Sequence, residues 1–283
     1  MLGSEKMTGF LCVLLLSFGF LAVGPGTAIA SQVKLTSDTL TYDPASRLIR
    51  AEGNVRLERD GLDLAAGFAE GDPAGERFRA WGSVKAKWIA QKMELSAQEI
   101  SLIDRVPQRV TASGQVVLTR PQERLSAASL EWIFGPSPEY VAKGGVVAEM
   151  PGRVLEAGEA GRKGDRFWAS QVRRFEDRQE RISLKAGRIE AQTDGEGLRE
   201  LTATGQVSAV AEGSDGSPVT LKGDRLLFSK AKGTVALVGN AEALQSGRSV
   251  RSETILYNLA SRRIEAQGRP QLIFTPGKES KAP

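Results

Sequence analysis

The sequence predicts an all-β fold of about sixteen antiparallel strands, built as eight hairpin repeats of about 31 residues. Three observations carry this. A small-x-Gly-x-Val motif recurs along the chain. A second motif, Leu-x-small-x-x-apolar, recurs between its copies with the same mean spacing. The residues around both motifs alternate apolar and polar, which is the period of a strand with one dry and one wet face.

The first motif reads Ala51-Glu52-Gly53-Asn54-Val55 and Ala80-Trp81-Gly82-Ser83-Val84. It returns around Gly114, Gly144, Gly205, Gly239 and Gly268, with Ser170 in the glycine position of a degenerate copy. The second motif starts at Leu35, Leu64, Leu95, Leu125, Leu155, Leu184, Leu221 and Val250. Around Gly53 the apolar or small residues Ile49, Ala51, Val55 and Leu57 alternate with Arg50, Glu52, Asn54 and Arg56. A helix would scatter these residues around its surface. The second motif places its last apolar residue one position later than strict alternation, so a bulge is expected in that strand. The motif glycines imply a tight bend in the other strand. Turn signals such as Asp43-Pro44, Asp60-Gly61, Asp194-Gly195 and Asp215-Gly216 separate the strands.

A flat sheet of this size would expose its dry face. Bent strands fold it into a long sandwich or open roll, elongated to about 75 Å at the usual strand spacing. Such an object has an apolar trough inside and an open edge strand at each end, where another chain can pair.

Composition narrows the function. Of 283 residues, 41% are hydrophobic and 25% charged, which is ordinary globular usage. The chain has no histidine, which removes histidine bases, triads and metal ligands. One cysteine allows no intrachain disulfide and no thiolate metal cluster. No phosphate-cradling or calcium-loop signature is present. No catalytic residue, cofactor or metal is assigned, and the reading is of a non-enzyme. A net charge of +4 on an exported chain argues against nucleic acid as a partner.

The first thirty residues have the layout of a secretory signal: Lys6, an apolar run from Phe10 to Val23, then Ala28-Ile29-Ala30 before Ser31. Residues 1–30 are therefore expected to be a cleaved signal peptide, with an uncleaved anchor as the alternative. Cys12 lies inside the apolar run, the wrong place for lipid attachment. Residues 31–275 form the β domain and residues 276–283 a disordered tail. The expected location is the periplasm.

Two stretches carry a family resemblance. One runs from Leu35-Thr36-Ser37-Asp38-Thr39-Leu40-Thr41-Tyr42 to Ala51-Glu52-Gly53-Asn54-Val55. The other runs from Ser252-Glu253-Thr254-Ile255-Leu256-Tyr257 to Ala266-Gln267-Gly268. They resemble the OstA/LptA family of periplasmic lipopolysaccharide-transport proteins. The resemblance is clearest over residues 33–70 and 219–275 and weaker from 145 to 200. It implies a twisted β-jellyroll whose apolar groove holds the acyl chains of lipopolysaccharide, or its lipid A part. It further implies a bridge from the inner to the outer membrane. The edge strands would meet inner-membrane and outer-membrane lipopolysaccharide-transport proteins, or further copies stacked end to end as a homo-oligomer.

On this reading the inward strand residues Val55, Leu57, Val84, Val116, Leu118, Val146 and Val207 line the lipid path. The competing reading is a closed, self-packed core and a structural or adhesive role with no cargo. Trp81, Trp88, Trp132, Phe134 and Trp168 are candidates to gate a groove mouth, or simply to cap a core end. Arg173, Arg174, Arg178 and Arg181, mixed with Glu176, Asp177 and Glu180, either meet lipid phosphates or form a solvated face.

Overall fold

The computed structural model describes residues 33–274, apart from 60, 73–76, 91, 104–106, 135–138, 179–181, 195–196 and 213–215. The expected signal peptide with Cys12, the expected tail, and the Gly135-Pro136-Ser137-Pro138 break all fall outside the described residues. All regular structure among the described residues is strand. Contacts gather into two compact units that divide between Gly164 and Asp165.

The N-terminal unit holds ten strands: β1 (Lys34–Thr36), β2 (Thr39–Asp43), β3 (Leu48–Arg59), β4 (Leu62–Gly71), β5 (Arg77–Trp88), β6 (Met93–Ile103), β7 (Arg109–Arg120), β8 (Glu123–Ile133), β9 (Glu139–Met150) and β10 (Arg153–Lys163). The C-terminal unit holds eight: β11 (Arg166–Asp177), β12 (Ile182–Asp194), β13 (Gly197–Glu212), β14 (Pro218–Ser229), β15 (Thr234–Gln245), β16 (Arg248–Asn258), β17 (Ile264–Gln267) and β18 (Gln271–Phe274). From β3 to β10, and again from β11 to β17, each strand pairs antiparallel with its neighbour in sequence. β1 and β2 both pair with β3, and β17 and β18 both pair with β16. Eighteen segments therefore fill the sixteen expected strand positions, with the first and last positions split in two.

The split comes from the same device that bends the other strands. In β7, Gly114 and Gln115 both have positive φ, 78° and 51°. They fall between the paired residues Ser113 and Val116, where β8 has only Ala128 between Ser129 and Ala127. The extra residue thus lies in the glycine strand and not, as the phase of the second motif implied, in its partner. The same pair of left-handed residues recurs at Gly53-Asn54, Gly82-Ser83, Gly144-Gly145, Gly205-Gln206, Gly239-Asn240 and Gly268-Arg269. At the last of these the strand breaks outright, and Pro270, with no N–H to give a ladder, follows. At the first, the break in β1–β2 lies opposite the corner, where the Asp38 N–H donates to the Gly53 carbonyl at 2.9 Å.

Side chains latch some corners. Asn54 Nδ2 donates to Asp38 Oδ2 at 2.9 Å, and Asn240 Nδ2 donates to Asp224 Oδ2 at the same distance. The degenerate copy behaves differently. Ser170 and Val172 pair with Arg188 and Ala186, with one residue skipped on each side. The bulge moves on to Arg173 and Arg174, opposite the single Lys185. Without glycine the left-handed pair is not formed, and the extra residue is absorbed downstream.

The corner decides where the core sits. On both sides of it the strand presents its apolar residues to one interior. β7 buries Ala112 before the corner and Val116 and Leu118 after it; β8 buries Leu125, Ala127, Leu130 and Trp132. Each fully buried Leu or Val contributes about 1.5–3 kcal/mol relative to exposure. The outward face carries cross-strand ion pairs such as Arg50–Glu70 at 3.2 Å, Arg79–Glu99 at 2.8 Å and Lys163–Glu139 at 2.9 Å. Exposed pairs of this kind contribute about 0–1 kcal/mol each, so they keep the outer face wet more than they hold the fold.

Two substitutions test the corner. A Cβ on Gly144, at φ +80°, would lie 2.5 Å from the Ala128 Cβ. Gly144→Ala is expected to destabilise by about 1–3 kcal/mol in urea titration, and adding Ala128→Gly to recover only the steric part. Gln115→Gly, which removes a side chain from the left-handed region, is expected to raise stability by about 1 kcal/mol. Equal loss from both single variants would contradict the left-handed corner.

Candidate functional site

Inside the N-terminal unit the two halves of the bent strands face each other. Val110, Ala112, Leu130 and Trp132 come from one half; Trp88, Met93, Leu95 and Leu118 come from the other. With Phe134 they surround one apolar cavity of about 10 Å³. That is no more than the room for about one water. At this level the interior is a closed core.

Toward the first strands the interior opens. A cavity of about 260 Å³ is walled by Val33, Leu35, Ile49, Leu57, Leu62, Ala69, Phe78 and Leu102. Its rim is charged with both signs: Arg59 and Arg77, Glu70 and Asp72. The strands explain the opening. Among the described residues β1 and β2 pair only with β3, so no further strand covers their inward side chains. Leu40 is left 53% exposed and Tyr42 54%. The end of the C-terminal unit repeats the pattern, with Leu272 63% and Phe274 57% exposed on β18.

All seven inward residues chosen from the sequence are buried: Val55, Leu57, Val84, Val116, Leu118, Val146 and Val207. They divide by position. Leu57 lines the open cavity and Leu118 the small closed one. Val55, Val84, Val116, Val146 and Val207 are at most 2% exposed, next to their corners. The open cavity is instead walled mainly by residues near strand ends, including Ile49, Leu62, Phe78 and Leu102, which the motif-centred choice passed over. Continuing the period-two alternation outward from each motif would have found them.

The aromatic candidates also separate. Trp88, Trp132 and Phe134 gather at the closed cavity, with Trp132 stacked on Phe134 at 5.0 Å and 15°. Trp81 sits on the outer face. It stacks on Phe68 at 5.7 Å, and the Arg79 guanidinium lies 5.3 Å from its ring centre. Two hydrogen bonds from Arg79, both 2.8 Å, hold the Glu99 carboxyl below the usual range. Trp168 is half-buried, out of phase with buried Phe167 and Ala169. In the basic run, Arg174 and Arg178 both donate to Glu176 and lower its carboxyl. Arg173 is exposed, and Arg181 and Glu180 lie outside the described residues.

Beyond the small cavity the interior turns polar. Tyr140 is buried, and burial pushes its hydroxyl upward; the charges of Arg162 and Glu123 both reach it. Burial also raises the Glu123 carboxyl against the opposing pull of Arg120. The same burial lowers Arg120. No cluster of metal-ligating side chains occurs among the described residues, and among them there is no helix long and apolar enough to cross a membrane.

A raised carboxyl favours the protonated form in the folded state. The stability tied to Glu123 is therefore complete below the ordinary glutamate range and lost as pH rises through its raised value. The stability difference between the native protein and Glu123→Gln should fall as urea titrations move from acid to neutral pH. A difference independent of pH would show that Glu123 titrates normally.

Residues 176–263 match the family described as LptA/(LptD N-terminal domain) LPS transport protein. The match begins within the span where the resemblance read from the repeats is weaker, and it leaves out residues 33–70. No curated protein matches the chain. Among solved structures, the chain is similar to LptH of Pseudomonas aeruginosa, the LptA homologous periplasmic component of the conserved lipopolysaccharide transport device. Identity is 16%, coverage is 54% of this chain and 95% of that one, and the TM-score is 0.33. The matched family is one of transport proteins and not of enzymes. The family match is thus carried by residues 176–263, about a third of the chain.

Proposed function

We propose that this protein is a periplasmic carrier of lipopolysaccharide that takes an acyl chain of the lipid into the open cavity of its N-terminal unit. The observation that carries the reading is that cavity: about 260 Å³, with aliphatic and aromatic walls and a rim of Arg59, Arg77, Glu70 and Asp72. Apolar walls reward burial of methylenes, about 0.8 kcal/mol each. The charged rim keeps a polar head group at the surface, because burying it unpaired costs several kcal/mol. The match of residues 176–263 to a family of LPS transport proteins supports lipopolysaccharide as the class of cargo.

The exposed ends supply the second part of the proposal. β1–β2 and β17–β18 carry unshielded inward residues, Leu40, Tyr42, Leu272 and Phe274. Another strand laid on either edge would cover them and continue the apolar interior. Partners of matching β-fold, or further copies of this chain, join there.

Photo-crosslinking in living cells tests the cargo. A crosslinking residue at Leu35 or Leu57 is expected to give a lipopolysaccharide adduct, and one at the outward Arg56 to give none. Absence of adducts at both inward sites would return the fold to a structural role. For the ends, Leu272→Lys is expected to weaken concentration-dependent association in analytical ultracentrifugation without changing urea stability by more than about 0.5 kcal/mol. Unchanged association would remove β18 as a joining edge.

A further inference from the structure

Cross-strand register orders the inner side chains of the N-terminal unit into two rows, both at strand ends remote from the corners. One row passes from Phe78 through Leu102, Val110 and Trp132 to Tyr140. The other passes from Leu62 through Trp88 to Met93. The closed cavity, which touches Trp88 and Met93 on one side and Val110 and Trp132 on the other, establishes that the rows face each other.

Read along these rows, the interior changes within a few strands. Leu62, Phe78 and Leu102 border the open cavity of about 260 Å³. The next positions, Trp88, Met93, Val110 and Trp132, leave about 10 Å³. Beyond them stand Tyr140, which is buried, and Glu123, whose charge reaches it. A methylene chain advancing from the mouth meets bulky rings and then polar groups. Trp132 is 6% exposed and backed by its stack on Phe134, so it is a fixed wall. Met93 packs against the same space and fills what the rings leave.

We infer that Trp88, Met93 and Trp132 form a stop that sets the length of acyl chain the open cavity accepts. The inference rests on the reading that this cavity takes an acyl chain, and adds which residues decide how much of the chain enters. A chain ending short of the stop gains by every methylene. A longer one must leave its surplus at the charged rim or displace a tryptophan.

The test is displacement of a fluorescent fatty acid from the full-length protein by saturated fatty acids from octanoate to stearate. In the native protein, affinity is expected to rise roughly fourfold per added methylene and then level off. Trp88→Ala, at a half-buried ring, is expected to move the levelling point to longer chains while leaving the affinity for octanoate unchanged. Trp132→Leu provides a second route to the same widening, and near-ultraviolet circular dichroism reports whether each variant keeps its packed core. Affinity that climbs through stearate in the native protein would overturn the stop. So would a levelling point that stays put in folded variants of both residues. Failure of the native protein to bind any of the acids would instead overturn the acyl-chain reading itself, and the stop with it.

Discussion

The structure depends on one backbone constraint: two successive residues in the left-handed region in the middle of alternate strands. An ordinary L-residue resists that conformation by about 1–2 kcal/mol, whereas glycine adopts it freely. Placing glycine first and a polar residue or glycine second makes the corner at modest cost. Asn54 and Asn240 are among the residue types that tolerate left-handed φ best, and each is also tied to a carboxylate. Every other property follows. Because the strand turns there, residues on both sides of the corner point to the same interior, and one long strand supplies both walls of its own sandwich.

The degenerate copy shows what the constraint is worth. Where Ser170 replaces glycine, Gln171 alone keeps the left-handed conformation, and the two-against-one bulge falls downstream at Arg173-Arg174. The basic run weighed as a partner for lipid phosphates is thus in part a bulge. Arg174 and Arg178 are held by Glu176 close by in sequence. A charge run in sequence can mark a backbone irregularity, because long polar side chains are what a bulged outward position tolerates.

How much was legible in the sequence follows the same line. Strand number, repeat period and inward phase all came from the two motifs, since alternation and glycine spacing are local signals. The seven inward residues nearest the motifs are all buried. What the motifs did not reveal is where the interior is open. Val116 and Val146 occupy the same place in their repeats as Val55, and nothing in such a repeat distinguishes a filled level from an empty one. The difference arises from side chains at strand ends, where the repeat is least regular: Ile49, Leu62 and Phe78 leave space, while Trp88, Met93 and Trp132 fill it. The location of the extra residue was misassigned for a related reason. A phase change in one strand is the visible consequence of an insertion in its partner, and sequence displays the consequence.

A repeat fold of this kind separates two tasks. The corners and their adjacent valines and alanines are nearly constant, and they hold the sandwich at a fixed width. The strand ends vary, and they decide what the interior contains at each level. A bent-sheet protein can therefore change from closed core to open cavity without altering its backbone, by exchanging one or two ring-bearing residues at strand ends. The N-terminal unit contains both states a few strands apart, about 260 Å³ beside about 10 Å³, on the same corner geometry. The room left in such an interior is then decided by residues that carry no motif, which is why it has to be read from packing.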